Sequence, residues 1–336
     1  MSILKKCHAY LRVKDWADSK VPFMGGALLF AVLFENQQRE SRYVYLAFAA
    51  YILYVSMFLA FSYVINDYCD MDVDKRAGKQ KVMFTLPRYA ILLSMFLMVA
   101  AGTVPMFLLV SDKWIYIGFT TVLYLFGAAY SVRGLLRFKE RGIIGLLECS
   151  FAQRCMPLIP IIWLFRIPVL YLALFLIVSF VNGLRYILIH QVIDLENDRK
   201  TGVKTYLSEG KHRYRIAIVI LLVTEIIIMS GIMGRIIYSY PPVAAFVVFY
   251  LFFERIIGIV VTCYMQVDLL NSFLAVPLEA LYNVFFPLLM ALLLTAIDYV
   301  YAGIPMFLFI ITFNCLKGKA AFIKTYIQSI KKTGRD

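Results

Sequence analysis

The chain has 336 residues, of which 62% are apolar and 16% charged, with a formal net charge of +13. A water-soluble domain carries about 25% charged residues, and here the apolar residues form blocks long enough to cross a ~30 Å hydrocarbon core, which excludes a soluble globular protein. The basic residues lie in short loops between those blocks, the pattern that orients membrane proteins and not a nucleic-acid footprint, and the six cysteines show no CxxC pair that would signal a thiolate metal site or a disulfide framework.

Residues 1–20 are basic and aromatic, and 1–16 are read as an amphipathic segment at the membrane interface. Lys5, Lys6, Arg12 and Lys14 could open a signal peptide. The following run, however, begins with Pro22 and Gly25-Gly26, lacks a clear small-residue cleavage site, and is better read as a first span over 17–34. Span two, about 44–65, delivers the chain to an acidic stretch running from Asn66 through Asp67, Asp70 and Asp72 to Asp74. Lys75, Arg76, Lys79, Lys81 and Arg88 follow, with Pro87 placed to open span three. Span four ends near Tyr130, before a loop carrying Arg133, Arg137, Lys139 and Arg141. Span five, 143–164, is interrupted by Pro157 and Pro160 and is predicted to be kinked or broken. Span six begins at Val169 and ends in a second acidic stretch, from His190 and Gln191 through Asp194 and Glu196 to Asp198.

The next loop is basic, with Arg199, Lys200, Lys204, Lys211, Arg213 and Arg215. Span seven covers about 216–237, and span eight reaches about Met265. Glu254 and Arg255 lie inside span eight, where charges are expensive and expected to be paired or functional. Runs at 281–297 and 304–313 are two spans or one broken element. Two spans return the Lys-rich tail to the side of the other basic loops, which favours ten spans over nine. The fold class is an all-α integral membrane protein, a single transmembrane domain over 1–336 with 317–336 as a basic cytoplasmic tail. The halves echo each other, as apolar helix, acidic stretch and basic-Gly segment, which resembles a duplicated unit.

Asp67, Asp70 and Asp74 are spaced by three and four residues, and Asp194 and Asp198 by four. On helices these spacings put carboxylates on one face. Neighbouring carboxylates repel unless a cation lies between them. Two such faces opposed across two helices form a cradle for Mg²⁺, which takes hard oxygen ligands and commonly shares its site with substrate phosphates. The expectation is a diphosphate held through Mg²⁺ at the mouth of a membrane-embedded pocket. The rival reading, an ion-coupled secondary transporter, suits intramembrane acids and repeats, but these acids lie at span ends and not at midplane. A scaffold has no use for two like-charged clusters.

Asn66-Asp67-x-x-Asp70-x-x-x-Asp74 resembles the first aspartate-rich motif of the UbiA superfamily of intramembrane prenyltransferases, and Asp194-x-x-x-Asp198 resembles the second. Tyr130-Ser131, Arg137 and Lys139 are similar to the segment that follows span four in that family, with Val132 and Gly134 where prolines are often found. The resemblance implies a bundle of about nine transmembrane helices around a central cavity. It implies Mg²⁺-dependent transfer of a prenyl group from an isoprenoid diphosphate to an acceptor. Members of the family act on aromatic acids for quinones, on haem, on chlorophyll precursors, on glycerol-phosphate ethers and on phosphoribosyl donors; quinone or aromatic-lipid biosynthesis is the expectation here. Asp67, Asp70, Asp74, Asp194 and Asp198 are the expected metal ligands. Asn66, Tyr130, Arg137, Lys139, His190, Gln191 and Lys204 are the expected substrate-binding residues. Arg137 and Lys139 can also be read as topology anchors, and Lys204 as a solvated loop charge. His190 can be a packed polar residue, a partner orienting Asp194, or an acceptor-side base. The expected partners are the isoprenoid diphosphate, an unidentified acceptor and membrane lipid. The expected location is the cell inner membrane, multi-pass, with the site facing the cytoplasm.

Overall fold

The computed structural model describes residues 3–35, 39–76, 78–132, 136–201, 206–207, 214–252 and 278–313, without side chains at 190, 192–201 and 214–215. All its regular elements are helical, and no strand occurs among the described residues. Apolar sequence forces this: in hydrocarbon every backbone polar group must be satisfied inside its own segment, and a helix does that. The helices are α1 (Ile3–Tyr10), α2 (Val21–Phe34), α3 (Ser41–Cys69), α4 (Met71–Arg76), α5 (Arg88–Leu109), α6 (Lys113–Ala129), α7 (Ile143–Ser150), α8 (Ile161–Leu164), α9 (Val169–Thr201) and α10 (Tyr214–Ser239). Three more follow: α11 (Val243–Phe252), α12 (Leu281–Ile297) and α13 (Tyr299–Phe313). Four of them, α3, α5, α9 and α10, are long and apolar enough to cross a membrane, and α2, α6, α11, α12 and α13 are shorter apolar helices. The protein is a multi-pass integral membrane bundle.

α3 is the centre of the half that carries the first acidic stretch. Two-thirds of its apolar window (67%) is buried, against 28% for α5, so α3 is an inner helix and α5 a lipid-facing one. α3 packs against α2, α5 and α6, while α9 packs against α7 and α10. Leu92, Leu93, Phe96 and Leu97 of α5 are exposed, as lipid-facing residues are. Tyr89, Trp114, Tyr238 and Tyr299 are exposed at helix ends, where amphipathic rings favour the interface. Between helices in lipid the hydrophobic effect gives little, and close packing with polar pins takes over. Phe23, Phe175, Tyr282 and Phe286 form such a packed centre, with ring centroids 5.1 to 6.1 Å apart. A polar pin lies beside it. Glu225 of α10 accepts hydrogen bonds from Arg185 (2.6 and 3.0 Å), Asn182 (3.2 Å) and Tyr282 (3.2 Å), and both Arg185 and Glu225 have no exposed surface.

Two boundaries differ from the sequence expectation. The first span starts at Val21 and not at 17, because Trp16 and Lys20 turn into the protein, with the Trp16 indole donating to Leu11 O at 2.8 Å. Pro22 then fits the first turn, where its missing N–H costs nothing. The broken span is broken earlier than its prolines. After α7 comes a π-helical turn, Phe151–Cys155, then a 3-10 turn, Met156–Leu158, and only then α8. Tyr51 donates to Pro157 O at 3.0 Å and satisfies a carbonyl of the broken stretch. The last two apolar runs are separate helices joined by a 3-10 turn, Tyr299–Ala302, within α13. Glu254, Arg255 and the tail 317–336 lie outside the described residues.

Candidate active site

The first acidic stretch was expected to be one helical face. The structure divides it. α3 ends at Cys69, with Asp70 N donating to Asn66 O at 3.1 Å, and α4 restarts at Met71. Across this change of helix Asp67 and Asp74, 5% and 6% exposed, share one cation. Lys81 Nζ donates to Asp67 Oδ1 at 2.7 Å and to Asp74 Oδ2 at 2.5 Å. Lys79 Nζ adds a bond to Asp74 Oδ1 at 2.8 Å, and Arg12 Nη1 one to Asp67 Oδ1 at 3.3 Å. Asp70 faces the other way, taking Lys139 Nζ at 2.5 Å and Arg137 Nη2 at 3.8 Å. Asp72 is exposed, off this arrangement.

The electrostatics follow from the pairing. Burial opposes the charged form of Asp74, and the bonds from Lys79 and Lys81 outweigh it, so its carboxyl titrates below the ordinary carboxylate range. Burial likewise works against the Lys81 ammonium, yet Asp67 and Asp74 hold it charged more firmly than a free lysine. Arg12 shows the same balance, with burial opposed by Asp67 and Asp15.

The turn before α7 supplies the second set of cations. Lys139 N donates to Tyr130 O at 3.2 Å, which ties this turn to the end of α6. Ser131 Oγ donates to Asn66 Oδ1 at 3.0 Å, and Lys139 Nζ reaches the same oxygen at 3.3 Å. Tyr130, Asn66, Asp70, Arg137 and Lys139 are thus brought together. Arg137 Nη2 also meets Glu140 Oε1 at 2.6 Å, but its Nε and Nη1 are buried with no hydrogen-bond partner. Buried guanidinium N–H groups left open are costly unless an anion completes them. Arg12 (φ 51°) and Arg137 (φ 42°) are the non-glycine residues with positive φ among the described residues. Such a backbone costs about 1–3 kcal/mol and clusters at functional sites.

The second acidic stretch is on α9, which runs unbroken through 194 and 198 to Thr201. The side chains of Asp194, Asp198 and His190, and all of Lys204, lie outside the described residues. Gln191 Oε1 accepts from Leu207 N at 3.3 Å, holding the chain that returns from α9. Among the described residues no three acidic, His or Cys side chains form a metal-binding group, and Asp67 and Asp74 converge on Lys81.

Two cavities adjoin the carboxylates. One, of about 1050 Å³, lies between α1 and residues 79–83, with Asp67, Arg12 and Lys81 on its wall. The other, of about 360 Å³, is lined by Asn66, Tyr63 and Tyr130, by Cys149, Ser150, Gln153 and Arg154 of the broken span, and by Tyr186. Asp15 borders both. Sequence reading missed Arg12, Lys20, Lys81 and Arg154 as site residues. A signal existed for Arg154, Arg185 and Glu225, since each is a charge inside an apolar run. Nothing in the sequence marked Lys81 apart from the other loop lysines.

An all-helical membrane bundle with carboxylates and cations gathered where its helices meet their loops defines a polytopic membrane protein with a polar site at one mouth. The model of the UbiA prenyltransferase family matches residues 23–261, and the chain belongs to that family. Its class of activity is prenyl transfer. The fold is similar to that of a solved digeranylgeranylglyceryl phosphate synthase (18% identity, TM-score 0.51, covering 98% of this chain and 100% of that one). It is also similar to a UbiA homologue from Archaeoglobus fulgidus bound to DMAPP and Mg²⁺ (15% identity, TM-score 0.50, 91% and 99%). A third likeness is to a UbiA homologue from Aeropyrum pernix K1 in its apo form (14% identity, TM-score 0.52, 79% and 96%). No curated protein sequence matches the chain.

Proposed function

We propose that the chain transfers a prenyl group from an isoprenoid diphosphate to an acceptor, using Mg²⁺ held by Asp67 and Asp74 together with Asp194 and Asp198. The carrying observation is the shared cation position. Asp67 and Asp74, both buried, converge on a single ammonium at 2.7 and 2.5 Å, so their oxygens already surround one positive charge. Hard oxygen donors converging on one cation fit Mg²⁺. Bound Mg²⁺ supplies charge neutralisation of the diphosphate oxygens. The UbiA homologue bound to DMAPP and Mg²⁺ supports the same pairing of donor and metal.

The chain's own residues do the remainder. The open Nε and Nη1 of Arg137 suit a pair of diphosphate oxygens, and Lys139, fixed by Asn66 and Asp70, suits a third. As the allylic carbon–oxygen bond breaks, its electron pair goes to the diphosphate, and these fixed donors stabilise that charge most in the transition state. The acceptor then forms the new bond to the allylic carbon and loses a proton. Shielding by the bundle keeps water from the cation. The basic loops at 75–88, 133–141 and 199–215 support a site facing the cytoplasm. Purified protein incubated with prenyl diphosphates of several lengths and a panel of acceptors, read by mass spectrometry, tests the reading. A prenylated product that disappears in EDTA is expected. Transfer in excess EDTA would sink the metal part, and Mg²⁺-independent solute counterflow in liposomes would favour a transporter.

A further inference from the structure

A third cavity, of about 330 Å³, lies on the flank of the bundle, away from the carboxylates. Val99 and Thr103, one turn apart on α5, form one wall, and Thr120, Tyr124 and Ala128 of α6 form the other. Phe61 of α3 completes it, its ring edge-to-face with that of Tyr124 at 4.9 Å. Ile117, Thr121 and Leu125, spaced one turn apart on α6, are exposed and form the rim, so the cavity opens toward lipid. No residue placed at the diphosphate lines it.

Its walls carry hydroxyls with nothing to bond. Thr120 is 3% exposed and Tyr124 7%. The side-chain oxygens of Thr103, Thr120 and Tyr124 are buried without a hydrogen-bond partner among the described residues. Tyr124 lies beside Thr103 and Tyr116 beside Thr120, but neither pair reaches hydrogen-bond geometry. The Tyr116 hydroxyl donates instead to Thr103 O at 3.1 Å. Elsewhere in the bundle helical hydroxyls turn back onto their own helix. Ser62 donates to Phe58 O, Thr224 to Ile220 O, Thr295 to Ala291 O and Thr312 to Leu308 O, all at 2.9 to 3.0 Å. Thr103 and Thr120 do not. Gly102 makes the room for the Tyr124 hydroxyl, since a Cβ there would lie 2.9 Å from it.

A hydroxyl without a partner inside hydrocarbon is costly, and no bulk water reaches that depth to satisfy it. Each of these hydroxyls has one proton to donate. What completes the cavity is therefore an acceptor oxygen that arrives through the bilayer. Thr120 and Tyr124 are in the middle of α6, away from the interface where phospholipid ester carbonyls lie. A carbonyl-bearing ring soluble in hydrocarbon meets both needs, and Phe61 and Tyr124 offer it aromatic contact.

We infer that this cavity binds the ring of a membrane-dissolved quinone, with Thr120 and Tyr124 donating to its carbonyl oxygens. The inference stands apart from the prenyl-transfer reading, because the cavity shares no residue with that site.

The test is saturation binding of tritiated decylbenzoquinone to the full chain in phosphatidylcholine nanodiscs, with empty discs as background. One saturable site is expected. Unlabelled decylbenzene, with the same ring and chain but no carbonyl, should compete at least about tenfold more weakly, a difference of ~1.4 kcal/mol. Thr120→Val and Tyr124→Phe, which keep the shape of each side chain, should each weaken binding several-fold, and the double variant should lose the saturable site. Thr224→Val on α10 should leave it unchanged. The quinone should raise the Tm of the wild-type protein and not that of the double variant. Absence of a saturable site in the wild-type protein overturns the inference. Equal competition by decylbenzene also overturns it without any variant, since the cavity then takes a hydrocarbon chain. Displacement of the probe by geranylgeranyl diphosphate places it in the donor site and overturns it too, as does full binding by a folded double variant.

Discussion

Gly145 is the third residue of α7, and the turn carrying Lys139 passes directly over it. A Cβ at this position would lie 2.1 Å from Phe138 O, 2.9 Å from Phe138 C and 3.2 Å from Lys139 Cα. These are backbone atoms, so no side chain can swing aside. Real Cβ contacts essentially never fall under 3.0 Å, so Gly145→Ala forces the turn away by about 0.9 Å at the least. Lys139 Nζ is bonded to Asp70 at 2.5 Å and to Asn66 at 3.3 Å, and its own N–H to Tyr130 O at 3.2 Å, so the shift is felt by the whole donor side. A misplacement near 1 Å costs on the order of 100-fold in rate. We expect donor kcat/KM to fall on the order of 100-fold, with acceptor KM little changed. The helix-propensity gain of Gly→Ala, roughly 1 kcal/mol, offsets part of the strain, so folding should survive. Gly118→Ala in α6, where a Cβ meets nothing within 4 Å, is the control and should leave kinetics intact. The assay is steady-state kinetics with varied donor at saturating Mg²⁺ and acceptor, alongside thermal unfolding in detergent. A folded Gly145→Ala protein with wild-type donor kinetics would refute the placement of Lys139 at the donor.

Lys81→Met removes the cation shared by Asp67 and Asp74 and should lower stability in metal-free detergent by roughly 1–3 kcal/mol. Mg²⁺ should restore it by binding the folded state; a Tm deficit that Mg²⁺ leaves untouched would show that these carboxylates do not take the metal. Because the folded Asp74 carboxyl titrates below its ordinary value of 3.8, its stabilising contribution is complete above that pH. The contribution fades as pH falls through the depressed value, so the Tm gap between wild type and Asp74→Asn in metal-free buffer should close on acidification; a gap that widens reverses the sign. Arg185→Met strands Glu225 in the bundle and should cost about 3–5 kcal/mol. The double variant Arg185→Met with Glu225→Leu should recover most of that in SDS unfolding, and failure to recover would mean that the pin does more than neutralise its own charge.

The sequence alone determined the solvent of this protein, its helical class and where its acids lie. Blocks of apolar residues have one stable form in hydrocarbon, so α3, α5, α9 and α10 could be drawn from composition and length. Local chemistry also announced the break in span five, through Pro157 and Pro160, although the helix had already loosened at Phe151. The motif pair identified the family because its spacing is a local property.

The partners of those acids were decided only by the tertiary structure. Periodicity placed Asp67, Asp70 and Asp74 on one face, but α3 stops at Cys69, and the change of helix sends Asp70 toward Lys139 while Lys81 closes on the other two. Which lysine does so depends on how residues 79–83 lie against α1, over distances that no local rule spans. The same holds for Arg154 and Lys20, 134 residues apart in sequence and on one cavity wall. Hydrophobic patterning says that a charge lies within an apolar run, and only the packing of the helices says which other charges it meets, because that is fixed by contacts between segments and not by order along the chain.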